Sequence, residues 1–511
     1  MARVATAEDL AAAVAEGKTA VLTEDVTVDK LPVNAEGDTN IVLGGNTLTT
    51  NQTGSITAAS GKTISISDGA IIANGTDGSG TASILYAVAG GKIELTGVTL
   101  ETNGTGVLAE GQDATVEVRN SHITALGFCV SSNARNESTH GINIRIENSV
   151  LESKHVNGYC GSAVMMNVPG TLYIGNSTII GENNAVLARG GDITIVDSEL
   201  SRPYAVVGAD ESSYYINKDW DDGNLVPMAT LLVGNRSASA YQYPVSVTLE
   251  NCTINASADG AKTVYLYGNA AKENGATLTY DAATVISPKD ETVAPVIVGG
   301  GKVTVNGSEY RIAADEAALK DAFANIAEGG TIVLQSDFSV TRGENRPGGT
   351  PDTYLNTPNV VFDLNGHTIT VNSPDYFALS ADGITIRNGT IKIGKEGNAY
   401  CLTVTGYAKN VSIEDITIIG GLEITGNGTE ATLRNATVYG PVSNNRYSLY
   451  LAGGAKLTVE NSQFIADDMN VSYMYLATAN DLVILNSATF DDEALPLLGS
   501  ASRGQVQDNR Q

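Results

Sequence analysis

One phrase recurs along this chain: two large aliphatic residues at alternate positions, then an asparagine. It reads Val116-Glu117-Val118-Arg119-Asn120, Ile144-Arg145-Ile146-Glu147-Asn148 and Leu172-Tyr173-Ile174-Gly175-Asn176. It returns as Val247-Thr248-Leu249-Glu250-Asn251, Ile384-Thr385-Ile386-Arg387-Asn388, Leu457-Thr458-Val459-Glu460-Asn461 and Leu482-Val483-Ile484-Leu485-Asn486. Most intervals are roughly 20–30 residues, the length of one coil of a β-solenoid. A period-two apolar pattern at that spacing predicts short strands stacked coil upon coil, since one coil cannot bury its apolar face alone.

The same architecture is written twice. Thr6-Ala7-Glu8-Asp9 resembles a capping box with Asp in place of Glu, and Leu10 and Val14 share one helical face. Gly17 ends that helix and Ala20-Val21-Leu22 starts a strand. In the second copy Leu319 and Phe323 repeat the helical pair, Gly329-Gly330 breaks it, and Ile332-Val333-Leu334 is the strand. Asp25 to Val28 corresponds to Asp337 to Val340. Leu43-Gly44-Gly45-Asn46-Thr47-Leu48-Thr49 corresponds to Leu364-Asn365-Gly366-His367-Thr368-Ile369-Thr370. A short amphipathic helix ahead of solenoid strands reads as a cap over an edge that would otherwise pair with another chain. The expected fold class is all-β: a right-handed, single-stranded parallel β-helix in tandem duplication, each copy with a short N-terminal capping helix. The expected domains are 1–295 and 296–511, joined near Pro288 to Pro295 and Gly299-Gly300-Gly301. Val303 to Val305 and Tyr310 are expected to form a small strand pair that introduces the second cap. Two stretches, 208–244 and 342–358, interrupt the periodicity and read as loops thrown out from the wall.

Composition sets the function classes. The 511 residues carry 30 Lys+Arg against 57 Asp+Glu, a net charge of -27. That balance repels phosphate backbones, and no basic stripe reverses it locally, which argues against nucleic-acid binding. Hydrophobic residues are 42% and mean hydropathy is -0.02, with no apolar run long enough to span a membrane. The N-terminus enters its helix signal directly. The expectation is an exported chain in mature form, or one that reaches the exterior without a signal peptide, as a virion component does. Cys129, Cys160, Cys252 and Cys401 have no metal-ligand spacing. Two readings stand for them: a disulfide between Cys129 and Cys160, or four small buried residues.

In the repeated phrase, strand alternation puts the asparagine on the same side as the two apolar residues. Asn120, Asn148, Asn176, Asn251, Asn388, Asn435, Asn461 and Asn486 are therefore expected inside the solenoid at a corner, their amides stacked in a ladder. Asp68, Asp197 and Asp415 substitute in that register. Their role is structural rather than catalytic.

With these features the chain resembles right-handed parallel β-helix proteins of the pectin lyase-like superfamily. The phrase Val361-Phe362-Asp363-Leu364-Asn365-Gly366-His367-Thr368-Ile369 resembles the first-coil phrase of bacterial surface proteins and phage appendages with that fold. The resemblance covers nearly the whole chain but implies architecture more than function. Relatives include polysaccharide lyases and hydrolases, tailspikes, adhesins and spacers. The catalytic sets of those enzymes do not carry over. Asp221-Asp222 lies in an insertion, His140-Gly141 precedes it rather than following, and Arg145-Ile146-Glu147 is the local copy of the repeat. Asp467-Asp468 and Asp491-Asp492 fall at turns. No catalytic residue, metal ligand or cofactor is expected, and no calcium-loop motif is present.

The most suggestive patch is the 208–244 insertion. Tyr214, Tyr215, Trp220, Tyr241 and Tyr243 surround Asp219, Asp221 and Asp222. Aromatic faces beside acids suit a sugar or protein contact, and the same rings would also pack an excursion onto the wall. Tyr265/Tyr267, Tyr447/Tyr450 and Tyr473/Tyr475 offer a further polar-aromatic face. The favoured reading is a non-catalytic β-helical appendage on a virion or bacterial cell surface. It would contact a surface glycan, a structural protein or a second copy of itself. The alternative is a polysaccharide lyase or glycoside hydrolase.

Overall fold

The computed structural model describes residues 1–511 apart from 52–55, 76–82, 135, 137, 155–161, 204–228, 235–242, 257–261, 268–274, 291–292, 300, 342–352, 373–376, 395–399, 441–446, 466–472, 491–497, 500 and 511. The protein is a right-handed parallel β-helix with short helical caps. Two compact units are present: residues 1–299 with 303–306, and residues 300–302 with 307–511.

In the first unit most coils carry three strands. Thr115–Arg119, His122–Ala125 and Val130–Asn133 form one coil, and Ile142–Glu147, Val150–Ser153 and Ser162–Met166 the next. Each strand pairs in parallel with its counterpart one coil on, in register: Val116 with Ile144, Ile123 with Leu151, Val130 with Val164. The register stacks like on like. Ile93, Val116, Ile144, Leu172, Ile193, Val247 and Leu278 form one continuous interior row. All seven are buried. Every coil therefore burns the same apolar pattern into the same core, and a shift by one residue would turn that row to solvent.

The second unit repeats the plan. Glu430–Arg434, Thr437–Tyr439 and Leu449–Ala452 pair with Lys456–Glu460, Ser462–Ile465 and Met474–Leu476. Its core includes a stack of Phe464 on Phe490, with ring centroids 5.2 Å apart.

The caps follow from their end chemistry. Helix α1 (Ala7–Ala15) starts where the Asp9 N–H donates to Thr6 Oγ1 at 3.1 Å, while Asp9 Oδ2 accepts from the Ala5 N–H at 3.4 Å. It stops at Gly17, which takes a positive φ of 68° as the Lys18 and Gly17 N–H groups close onto Ala13 and Val14 carbonyls. Leu10, Ala13 and Val14 face the core. Helix α2 (Glu316–Asn325) is capped by Asp315, which accepts from the Ala318 N–H at 2.8 Å, and buries Leu319, Ala322 and Phe323. It ends earlier than the glycine pair suggests: Ile326 is already extended, and Gly329, with φ of 75°, serves the turn beyond.

The matching phrases make matching bonds. Asp25 accepts from the Thr47 N–H at 2.7 Å, and Asp337 accepts from the Thr368 N–H at 2.9 Å. Asn46 donates to the Leu22 carbonyl and Asn365 to the Leu334 carbonyl, each at 3.1 Å.

The repeated asparagine departs from expectation. Asn120, Asn148, Asn176, Asn251, Asn388, Asn435 and Asn461 are exposed, as are Asp68, Asp197 and Asp415. All ten have φ between 44° and 62°. One left-handed residue reverses the strand's alternation: Ile146 points in, Glu147 and Asn148 both point out, and Ser149 points in. The side-chain alternation of a regular strand cannot be extended through that bend. Asn and Asp tolerate the conformation because a short polar side chain bonds locally where a branched one clashes. Asn486 is also exposed but lacks the positive φ.

Asn148→Gly is expected to leave stability within a few tenths of a kcal/mol, and Asn148→Val to lower it by about 1–2 kcal/mol. Chemical-denaturation midpoints check this; equal shifts for the two variants would refute a backbone role for the residue. Residues 1–299 and 300–511, expressed separately, are each expected to give a β-rich circular dichroism spectrum with a cooperative melt. A disordered second fragment would show that its cap does not suffice.

Candidate functional site

The bend generates the site. Behind Asn120, Asn148, Asn176, Asp197 and Asn461 sits a buried serine whose hydroxyl is used twice. Ser149 Oγ donates to the Glu147 carbonyl at 2.7 Å and accepts from the Ser121 N–H at 3.1 Å. Ser177 does the same for the Gly175 carbonyl and the Ser149 N–H, and Ser198 for the Val196 carbonyl and the Ser177 N–H. These serines satisfy the N–H groups that the bend turns inward. Cys252 takes the next place in the row, its thiol on the Glu250 carbonyl. The interior place expected for the asparagine is taken by its neighbour. The serine after it carries the interior ladder, and its signal was the recurring Asn-Ser dipeptide at 120–121, 148–149, 176–177 and 461–462.

Outside, the amides link coil to coil. Asn176 Nδ2 donates to Asn148 Oδ1 at 2.7 Å, Asn251 to Asp197 at 2.7 Å, Asn435 to Asp415 at 3.0 Å, and Asn461 to Asn435 at 2.7 Å. Asn388 turns to Asp363 at 3.1 Å, and Asn486 accepts from Asn509 at 3.0 Å.

Between this row and the first outward row beyond the bend lies a polar groove, found at the same structural position in both units. In the second unit it encloses about 550 Å³. Asn435, Asn461 and Asn486 form one wall, and Thr437, Gln463 and Thr489 the other. The opposite-wall residues are in register from coil to coil. Arg510 closes one side, held by both Asp508 oxygens and the Ala488 carbonyl; its hydrogen bond brings the Asp508 carboxyl down to about 2. In the first unit the groove encloses about 380 Å³, with Asn176, Asp197 and Asn251 facing Thr178, Glu199 and Thr253. Ser177 and Ser198 lie beneath.

Of the residues expected to bind, Tyr214, Tyr215, Asp219, Trp220, Asp221, Asp222 and Tyr241 lie outside the described residues, as do Cys160, Asp467-Asp468 and Asp491-Asp492. Tyr243 is buried. Tyr265 and Tyr267 are buried too, in an apolar cluster with Met165, Leu187 and Leu232. Gly234 lies under the Tyr267 ring, where any Cβ would collide with it. The second unit differs. Tyr475 stacks on Tyr450 at 5.6 Å and on Tyr447 at 5.0 Å, and Tyr450 approaches Tyr400 at 5.6 Å. Glu423 and Thr403 continue the Tyr450 row in register, and the Thr403 hydroxyl donates to Glu423 at 3.2 Å. Tyr473 is buried against Phe490.

Other chemistry-bearing residues are absorbed by structure. Arg145 pairs with Glu147 at 2.6 Å and lies 4.3 Å from the Tyr173 ring centre. The Arg145 hydrogen bond holds the Glu147 carboxyl below its ordinary value. Cys129, Cys252 and Cys401 are free, buried thiols; burial pushes Cys401 up to about 12 and Cys129 higher still. Among the described residues no three His, Cys, Asp or Glu side chains group as metal ligands, and no helix is long and apolar enough to cross a membrane.

No family model and no curated protein matches the sequence. Among solved structures, a double mutant of the tailspike protein of E. coli bacteriophage HK620 aligns at 12% identity over 98% of this chain and 76% of that one, with a TM-score of 0.25. The same tailspike in complex with a pentasaccharide aligns at 11% over 95% and 74%, with a TM-score of 0.17. The Agl-KA catalytic domain aligns at 10% over 98% and 64%, with a TM-score of 0.15. At these values no residue role transfers to this chain.

Ser177→Ala removes an acceptor from the Ser149 N–H and a donor from the Gly175 carbonyl, both buried. It is expected to cost about 1–3 kcal/mol, read as a denaturation shift against an exposed serine control such as Ser138→Ala. Equal shifts would remove the serine row from the structural account.

Proposed function

We propose that this chain is a surface-exposed, glycan-contacting β-helix, and that a neutral polysaccharide strand lies in the corner groove across successive coils. The observation that carries this reading is the recurrence of the groove in both units, where, beside Asp197 and Glu199 in the first, the opposite walls carry amide and hydroxyl side chains in register. Such groups both donate and accept, as sugar hydroxyls do. Their spacing is the coil repeat, about 4.8 Å, close to the length of one pyranose unit, so each coil meets one sugar. The walls are fixed by parallel pairing on both sides, and a rigid site loses little conformational freedom on binding. The net charge of -27 disfavours acidic polymers and leaves neutral ones as the fitting class. A rigid scaffold bearing such a groove suits display on a virion or a bacterial cell surface.

An array of neutral and acidic oligosaccharides tests the reading, with a reducing-end assay run alongside. Selective retention of neutral glycans without new reducing ends is expected. Gln463→Ala with Thr437→Ala should weaken retention about tenfold, or about 1.4 kcal/mol. Release of new reducing ends would move the reading to a lyase or hydrolase. Retention unchanged by the groove pair but lost in Tyr450→Ala would place contact on the tyrosine face. Loss only when 208–244 is replaced by a Gly-Ser turn would place it on the insertion.

A further inference from the structure

The outer amide row has a direction. Each asparagine Nδ2 that continues it donates to the residue one coil back: Asn176 to Asn148, Asn251 to Asp197, Asn461 to Asn435. The Asn148 and Asn435 oxygens are thus satisfied by the next coil, whereas among the described residues no such bond joins Asn148 to Asn120. Asp197 follows Asn176 and has no side-chain N–H to give. Among the described residues no side-chain hydrogen bond joins Asn176 to Asp197, and the Asn176 oxygen faces a carboxylate. The second unit's groove likewise spans an interrupted step, between Asn461 and Asn486, where the positive φ is lost and no amide bond forms. Each groove thus includes one step at which the amide row is broken.

In the first unit the break leaves acceptors only. Asn176 Oδ1, the Asp197 carboxylate and the Glu199 carboxylate line one groove, and the donor that reaches Asp197 is Asn251 on its far side. A ligand that fills this step must bring O–H or N–H donors. Two adjacent sugar hydroxyls do so, one to each oxygen of a carboxylate, as a planar acceptor pair prefers. The Thr178 and Thr253 hydroxyls flank Glu199 in register and can receive or return the remaining bonds.

We propose that the Asn176–Asp197 step is a hydroxyl-recognition subsite for the neutral glycan, with Asp197 as its specificity-determining residue. This rests on the glycan reading above and adds which atoms select the sugar: a pyranose with vicinal free hydroxyls is held, and one substituted at those hydroxyls is not.

Asp197→Asn tests it in the full-length chain. Asparagine keeps the left-handed bend and supplies the missing Nδ2, so the amide row runs through from Asn251 to Asn148. The variant should melt higher than wild type and lose about tenfold in affinity for mannan, dextran or β-glucan, whichever wild type binds. A variant that melts higher yet binds as wild type does overturns the subsite and leaves the groove reading standing. A melting temperature that does not rise overturns the interrupted-row argument. Calcium that raises the melting temperature of wild type but not of Asp197→Asn would make the step a cation site instead and overturn the proposal. If wild type retains no glycan of any kind, the groove reading and the subsite fall together.

Discussion

A single backbone conformation shapes most of this protein: one left-handed residue between the first two outer-wall segments of successive coils. Without it the chain at Ile144 to Asn148 would run on as a straight strand, and the residue after Ile146 in the alternation would enter the core. With it the alternation reverses, two residues in succession face solvent, and a serine takes the interior place. The strained angle is stabilised from both sides, by coil-to-coil backbone bonds such as the Asn148 N–H to the Gly175 carbonyl at 3.0 Å and by the serine beneath. Because the coils from Asn120 to Asn251 and from Asn388 to Asn461 make the same bend at the same register, the bends align, and aligned bends make a groove.

The exterior handles its charge by the same alignment. Glu94 and Glu117 are register neighbours, a repulsive arrangement on adjacent strands. Lys92 lies between them at 2.6 and 2.7 Å, Arg119 bridges Glu117 and Glu147, and Arg145 completes the run. Each pair is solvent-exposed and worth little alone, and their value is in relieving stacked like charges that a parallel register imposes. The basic residues of this acidic chain are thus spent locally along the leading strands.

Most of the fold was legible in the sequence because it depends on residue types with local meaning. The capping residue Thr6, the stop at Gly17 and the paired phrases around Asp25 and Asp337 make the bonds their spacing implies. The orientation of the asparagines was not legible from period-two counting, since that rule holds only while φ stays negative. The clue lay in the residue type, as Asn and Asp are the non-glycine residues that enter the left-handed region most readily. The groove was invisible for a different reason. Asn461 and Gln463, like Asn435 and Thr437, are two residues apart across the bend and unremarkable alone, and only the register stacks Thr437, Gln463 and Thr489 into one wall and the asparagines into the other. The tyrosines show the converse: Tyr265 and Tyr450 look alike in sequence, yet one is buried in an apolar cluster and the other stands in a half-buried stack.

The bend also separates what the fold requires from what the surface can vary. Asparagine and aspartate both adopt the left-handed angle, so either preserves the coil; Asn176 and Asp197 have φ of 44° and 49°. They differ in a single group. Asparagine donates to the coil before it and accepts from the coil after, whereas aspartate accepts only. At Asn148–Asn176 and Asn435–Asn461 neighbouring asparagines close upon each other, whereas Asp197 ends the row on its N-terminal side. That side of the aspartate is where hydrogen-bonding capacity is left facing solvent. The core beneath is indifferent to the choice, because Ser177 and Ser198 make the same bonds on either side of it. Recognition can thus be written into a repeat by changing one amide to an acid, with the register, the bend and the apolar rows unchanged.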